Sequence, residues 1–329
     1  GKLWDELEKI LCAKAREGVE VKIIFDDFGN IKRFSGETID RLREVGVEVF
    51  IFNPVHEYVN RLHFNYRDHR KIACIDGDVA YTGGVNIADE YANLIERFGY
   101  WKDSGVCLEG EGAWGLTASF IRMCVNLGGV MHNEHDYYRP HTPVKSEGFC
   151  QPFTDGPQNN PDNPAEDVFL QMISGARRFL YITTPYFIPD ESLMRALCIA
   201  GDGGVDVRLM LPGKPDHWYA DCVAESYFGE LIKHGVKVYR YTPGFLHGKS
   251  IMVDREAAFV GSANMDYRSF ELDYECGVMV YSAPMIESLL EDMDMIVDRS
   301  HLVTAEEWAK RSVLRRVFEP LLRLFAIWM

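Results

Sequence analysis

Several features are scarce or missing in this 329-residue chain. No run of about 18 consecutive apolar residues occurs, so it holds no candidate transmembrane helix. No charged-then-apolar leader is visible, so no signal peptide is expected within it. Cysteine is present without a pairing pattern: Cys12, Cys74, Cys107, Cys124, Cys150, Cys198, Cys222 and Cys276 form no CxxC pair. That spacing argues against a disulfide framework and for reduced thiols of a cytosolic-side protein. Positive charge is short: 35 lysines and arginines face 50 acids, a net charge of −15. A protein gripping a nucleic-acid backbone needs a basic face to gain from counterion release. No nucleic-acid partner is expected, although a local basic pocket is still allowed. Hydrophobic content of 47% fits a soluble globular chain long enough for two domains with real cores.

What is present centres on His247-Gly248-Lys249-Ser250-Ile251-Met252-Val253-Asp254. It follows the turn signal Tyr241-Thr242-Pro243-Gly244, and its apolar run reads as a buried strand. Alternation along a strand puts His247 and Lys249 on one face, a nucleophile or acid beside a fixed cation, which suits a phosphate. Gly261-Ser262-Ala263-Asn264 follows, a small-residue turn whose N–H groups and amide are candidates to hold phosphate oxygens. The same pattern occurs earlier as His69, Lys71, Asp76, Gly83 and Asn86, each 178 positions before its partner. One HxK is a weak signal. Two copies of H-x-K-x4-D-x6-G-x2-N in register are a strong one.

These motifs resemble the paired HKD motifs of the phospholipase D superfamily, and the flanking text is similar to its bacterial cardiolipin synthase branch. The stretches that carry the likeness are Gly83-Gly84-Val85-Asn86-Ile87-Ala88-Asp89-Glu90-Tyr91, Gly99-Tyr100-Trp101-Lys102-Asp103, Thr184-Pro185-Tyr186-Phe187-Ile188-Pro189-Asp190 and Asn264-Met265-Asp266-Tyr267-Arg268-Ser269-Phe270-Glu271-Leu272. The resemblance implies two similar α/β domains, with mixed, mostly parallel sheets flanked by helices, and an active site at their pseudo-two-fold interface. It also implies transfer of a phosphatidyl group from one phosphatidylglycerol to another with release of glycerol, at a bacterial cell membrane on its cytoplasmic face. Phosphatidylethanolamine serves as donor in some relatives. No cofactor or metal is implied.

Read for its own periodicity, the chain alternates helix, glycine and strand, which also indicates an α/β fold. Helices are expected over 3–14, with Leu3, Leu7, Ile10 and Leu11 on one face, and over 36–44, with strands over 18–26 and 47–54. The second half repeats this with helices near 165–177, 192–200 and 219–233 and strands near 178–183, 204–212 and 235–243. The helix and strand of 165–183 have no counterpart in the first half. The chain, which begins at Gly1, is therefore expected to be a fragment whose missing strand, and the membrane helices usual in the resembled family, lie upstream. Residues 128–164 read as an irregular linker. Domains are placed at 1–145 and 146–303, followed by a basic amphipathic helix over 304–329 that suits either a membrane interface or its own domain.

Phosphodiester exchange without a metal needs a nucleophile, an acid for the leaving group and cations around the phosphoryl oxygens. The two HxK units supply them. His69 is taken as nucleophile and His247 as acid and base, with Lys71, Lys249, Asn86 and Asn264 holding oxygens. Asp103 and Glu275, each just before a Gly-Val pair, are proposed to orient the imidazoles. Asp76 and Asp254 belong to the catalytic motif, yet their opposite strand parity makes them structural, capping the turn into the segments at Gly83 and Gly261. Ser262, whose counterpart is Gly84, is a candidate phosphate donor. Tyr186 and Phe187 are candidates for the wall of the acyl or glycerol region, and 214–219 for a lipid groove; for Tyr227 and Phe228 helix packing is the favoured reading. His132, His135 and His141 are dense but fit no ligand spacing. The alternatives are hydrolysis of phospholipid to phosphatidic acid, and an inactive lipid-binding fragment; a nuclease is disfavoured by the acidic balance.

Overall fold

The computed structural model describes residues 1–30, 36–55, 65–132, 136–146, 148–312 and 322–323. The first half opens with α1 (Lys2–Arg16), β1 (Lys22–Asp26), α2 (Gly36–Glu44) and β2 (Glu48–Phe52). β1 and β2 are parallel, as the helical crossover requires, with Lys22 opposite Glu48. α1 buries Cys12 rather than Ile10, which is 57% exposed, so the packed face is rotated from the expected one. The expected strand at Val19 starts only at Lys22. Gly18 takes φ +91 and the Val19 amide bonds back to the Lys14 carbonyl, so these residues finish the helix.

The motif-bearing part follows as β3 (Arg67–Asp68), β4 (Ile72–Ile75), β5 (Val79–Gly83), β6 (Tyr100–Lys102), β7 (Gly105–Glu109) and α3 (Trp114–Asn126). β4, β5 and β7 form an antiparallel sheet.

The second half contributes β8 (Phe149–Asp155), α4 (Pro164–Gly175), β9 (Phe179–Thr183), β10 (Phe187–Ile188), α5 (Glu191–Asp202), β11 (Asp206–Pro212), α6 (Trp218–Lys233) and β12 (Lys237–Tyr241). Then come β13 (Gly244–Leu246), β14 (Ser250–Val253), β15 (Ala257–Gly261), β16 (Met265–Asp266), α7 (Tyr267–Glu271), β17 (Asp273–Tyr281), α8 (Met285–Asp298), β18 (Ser300–Leu302) and α9 (Ala305–Ala309). The main sheet runs β18-β12-β11-β9-β14-β15-β17, with β8 and β3 also on β17. Its core packs Phe169, Leu180, Leu197, Val207, Phe228 and Ile251 on one face and Tyr181, Met210, Met252, Val278 and Leu290 on the other.

Two expectations are corrected here. The sheets are mixed but not mostly parallel: β9, β11 and β12 are parallel across their helices, whereas β9, β14, β15, β17 and β8 are antiparallel. Short hairpins join the motif strands, and a hairpin reverses direction. The stretch 128–164 is not irregular throughout, because β8 pairs with β17 along seven residues. Its Pro152 and flanking polar residues masked the strand, and an edge position tolerates them.

The internal repeat is visible in the pairing. β4, β5 and β7 correspond to β14, β15 and β17, and β1 and β2 to β11 and β12. In the second half β9 joins the two sets. Among the described residues no strand takes that place in the first half, so β1–β2 and β4–β5–β7 are separate sheets. At the other end, Trp308 of α9 packs on Phe228, and Arg323 lies over Tyr227. The described part of the tail therefore docks on α6; the rest lies outside the described residues.

Candidate active site

Two short parallel pairings between the halves build the site. β3 runs beside the start of β17, with Arg67 opposite Asp273 and Asp68 opposite Tyr274. One position further, His69 meets Glu275, Nδ1 to Oε1 at 2.8 Å. β6 runs beside β13, with Trp101 opposite Phe245 and Lys102 opposite Leu246. One position further, Asp103 meets His247, Oδ2 to Nδ1 at 2.8 Å. Each imidazole is thus oriented by a carboxylate from the other half. Each lysine donates to the carbonyl of its own histidine, Lys71 to His69 at 2.5 Å and Lys249 to His247 at 2.7 Å. Lys249 Nζ also lies 3.0 Å from both ring nitrogens of His247, hence over the ring. His247 and Lys249 precede β14 rather than lying in it, but the backbone still carries both to one side.

Burial governs protonation here. It lowers His69 below the ordinary imidazole value, against the pull of Glu275. It takes His247 down to about 4, with Lys249 adding to the shift and Asp103 opposing it. It takes the fully buried Lys249 down to about 7 and also lowers Lys71. Burial by itself would raise the carboxylates, yet His247 and Lys249 hold Asp103 below its ordinary value, and His69 and Lys71 do the same for Glu275. With both carboxylates ionised, each Nδ1 carries the ring proton and Nε2 keeps its lone pair.

Residues 4–96 and 169–297 match the family described as cardiolipin synthase, PLD-like domain. This chain belongs to that family. It is 38% identical over 330 residues to the major cardiolipin synthase ClsA of Bacillus subtilis, covering 98% of this chain and 67% of that protein. A cardiolipin synthase of Halalkalibacterium halodurans is 37% identical over 326 residues, covering 98% and 64%. The chain therefore spans about two thirds of the length of these relatives. The phosphatidylserine synthase of Haemophilus influenzae shares the fold, with a TM-score of 0.68 at 16% identity, covering 98% of this chain and 83% of that one.

The other residues of this PLD-like motif divide sharply. Asp254 lies outside the cluster: its carboxylate accepts the backbone N–H groups of Arg177, Arg178 and Phe179, each at 2.8 Å. It anchors the entry to β9 instead of capping the glycine turn. Asp76 is exposed in the β4–β5 turn, with the same left-handed backbone, φ 54 against 53. Gly83 and Gly261 serve packing: a Cβ would stand 2.3 Å from the Ser104 carbonyl oxygen and 2.5 Å from that of Cys276. The turn amides expected to bind phosphate are occupied, Gly84 N–H by Ser104 and Ser262 N–H by Cys276. Ser262 does not face phosphate either, because its hydroxyl donates to Glu275. Asn86 donates to the Tyr91 hydroxyl at 2.7 Å, while the buried Asn264 keeps an unpartnered side-chain oxygen.

A cleft of about 1490 Å³ reaches His69, Lys71, Asn86, Tyr91, Trp101, Asp216, Arg268 and Asp273. Tyr186 is not on it. Its hydroxyl donates to Asp216 at 2.6 Å beside a smaller pocket, and Phe187 is fully buried. Tyr227 and Phe228 are core residues, as helix packing predicts. Sequence reasoning missed Asp273, which is 5% exposed, has one unpartnered oxygen and is raised well above the ordinary carboxyl value by burial. It missed Trp101 and Tyr91 too, whose rings pack on His247 with centroids 5.2 Å away. Strand parity held a signal: Asp273 precedes Glu275, and Trp101 precedes Asp103, by two positions.

Among the described residues, His69, Asp273 and Glu275 bring metal-ligand atoms within 4.8 Å of one another. The His69–Glu275 contact is a hydrogen bond, and Lys71 and Arg268 already bring positive charge to that carboxylate pair. His132 stacks on Tyr137; His135 lies outside the described residues.

Proposed function

We propose that this chain is a phosphatidyltransferase of the cardiolipin synthase type. It moves a phosphatidyl group from one phosphatidylglycerol to the hydroxyl of another and releases glycerol. The observation that carries this reading is the pair of carboxylate-oriented imidazoles, each with its own lysine, brought together where the halves meet. Membership of the PLD-like family supports the reading.

His69 is the nucleophile in this reading, because it reaches the cleft, whereas His247 is 5% exposed behind Tyr91, Trp101 and Phe245. Its Nε2 attacks phosphorus, and the bond to the glycerol oxygen breaks. Near neutral pH Lys249, at about 7, is partly protonated, and His247, at about 4, is neutral. A bound phosphodiester anion favours the protonated forms, and His247 passes the proton to the departing alkoxide. Neutral His247 then takes the hydroxyl proton of the second phosphatidylglycerol. Its oxygen attacks phosphorus, the P–N bond breaks, and His69 returns to its starting state. Lys71, Lys249, Asn86 and Asn264 are placed to hold the non-bridging oxygens. Asp103 and Glu275 orient the rings without touching substrate.

The lipid substrates put the reaction at a bacterial membrane surface. No described helix is long and apolar enough to cross a membrane. In this reading the reaction runs on the cytoplasmic face. The deciding experiment is product analysis by mass spectrometry after incubation with phosphatidylglycerol micelles, beside His69→Ala. Cardiolipin plus glycerol, absent with the variant, supports the transferase. Phosphatidic acid alone would identify a hydrolase using the same phosphohistidine.

A further inference from the structure

The segment 84–99 between β5 and β6 forms no helix or strand, and its polarity is inverted. Three of its polar side chains, Asn86, Asp89 and Asn93, are tied back to the protein. Asn86 donates to Tyr91, Asp89 accepts the Lys2 and Leu3 amides at 3.1 and 2.9 Å, and Asn93 bonds both backbone groups of Trp101. Its apolar side chains face out: Val85, Ile87, Leu94 and Ile95 are 45%, 52%, 50% and 48% exposed. One exposed apolar residue needs no explanation; four within one short segment form a patch. The corresponding stretch of the second half does the opposite and buries Ala263, Met265 and Phe270.

The patch is continuous with the cleft. Val85, Ile87 and Ile95 line it together with His69 and Lys71. His217 lines the cleft too, and the next residue, Trp218, is 65% exposed. An apolar mouth above a cationic floor matches one substrate class: a phosphodiester whose tails stay in hydrocarbon. We propose that 85–95 is a membrane-insertion segment, whose Val85, Ile87, Leu94 and Ile95 enter the interfacial layer of a phospholipid bilayer, flanked by Trp218, so that lipid phosphates reach His69 without leaving the membrane. This rests on the lipid-transfer reading for its purpose, though not for its test. The attraction is apolar, not ionic: Arg97 is the sole Lys or Arg of the segment and lies 3.8 Å from Glu90.

The test compares the full chain with Ile87→Asp/Ile95→Asp and with Val130→Asp, a control at another exposed apolar residue. Sedimentation with phosphatidylglycerol–phosphatidylcholine vesicles should show partition of the double variant reduced roughly tenfold or more. Wild-type partition should change less than about twofold between about 0.1 M and about 1 M salt. Turnover of vesicle lipid should fall in parallel, and by more than turnover of monomeric short-chain phosphatidylglycerol, while the melting temperature stays unchanged. Unchanged partition of the double variant, or partition abolished by salt, overturns the proposal. A variant that only loses self-association would make the patch an interface between copies and also overturn it. If wild type turns over neither form of lipid, the transferase reading fails, and sedimentation still decides the insertion segment.

Discussion

Nδ1 of His69 lies 2.8 Å from Oε1 of Glu275, a residue 206 positions away and from the other half of the chain. The contact follows from backbone register, because it is the next step after Arg67–Asp273 and Asp68–Tyr274. Its twin, His247 with Asp103, follows β6 and β13 in the same way. Neither half therefore holds a complete imidazole–carboxylate pair.

Glu275→Gln should leave the fold intact and cut kcat roughly 10²–10⁴-fold, because a neutral amide neither fixes the tautomer of His69 nor stabilises its charged form. Measured phosphohistidine formation should slow with it. A turnover within error of wild type would sink the pairing.

The His247–Lys249 pair gives the pH dependence. Lys249 loses its proton near pH 7 in the free protein, so kcat/KM should fall as pH rises above about 7, when the pair no longer carries the proton for the leaving group. Lys249→Arg keeps a fixed charge, and the alkaline limb should leave that region. A limb unmoved by the substitution would show that another group sets it.

Asp254→Ala should reduce stability without specific loss of chemistry. Three backbone N–H groups lose their acceptor, at a cost of roughly 1–3 kcal/mol. The folded carboxyl titrates below its ordinary 3.8, because the amides of Phe179, Arg177 and Arg178 outweigh burial. Its contribution is present above that value and is lost as pH falls through the folded one. Denaturant unfolding at pH 7 and pH 3 should show the gap between variant and wild type shrink in acid.

Asp273→Asn has the opposite sign. Burial raises this carboxyl well above 3.8, so its favourable contribution is complete below 3.8 and is lost as pH rises through the folded value. The amide does not ionise. The variant should melt higher than wild type at pH 8, with the difference narrowing toward pH 4. Equal melting temperatures at both pH values would show that Asp273 is already paired as an anion.

The histidines, lysines and repeat were legible because their spacing is local and occurs twice. So were the two orienting carboxylates, marked by the Gly-Val that follows each. Two of the turn amides given a phosphate-binding role, those of Gly84 and Ser262, are taken for a reason invisible locally: Ser104 and Cys276 arrive from distant strands and occupy them. Ser262 and Asp254 were displaced from phosphate and turn capping in the same way, by partners that only folding supplies. Strand β8 was missed because an edge strand carries no full alternation.

The sequence by itself determined the two motif copies, the α/β alternation and the types of group in the site, because periodicity and residue chemistry are properties of neighbouring positions. Tertiary structure decided which carboxylate serves which histidine, which motif residues face the cleft, and which pKa values move. Those depend on burial and on contacts between segments far apart in the chain, where the low dielectric and fixed geometry set the energies.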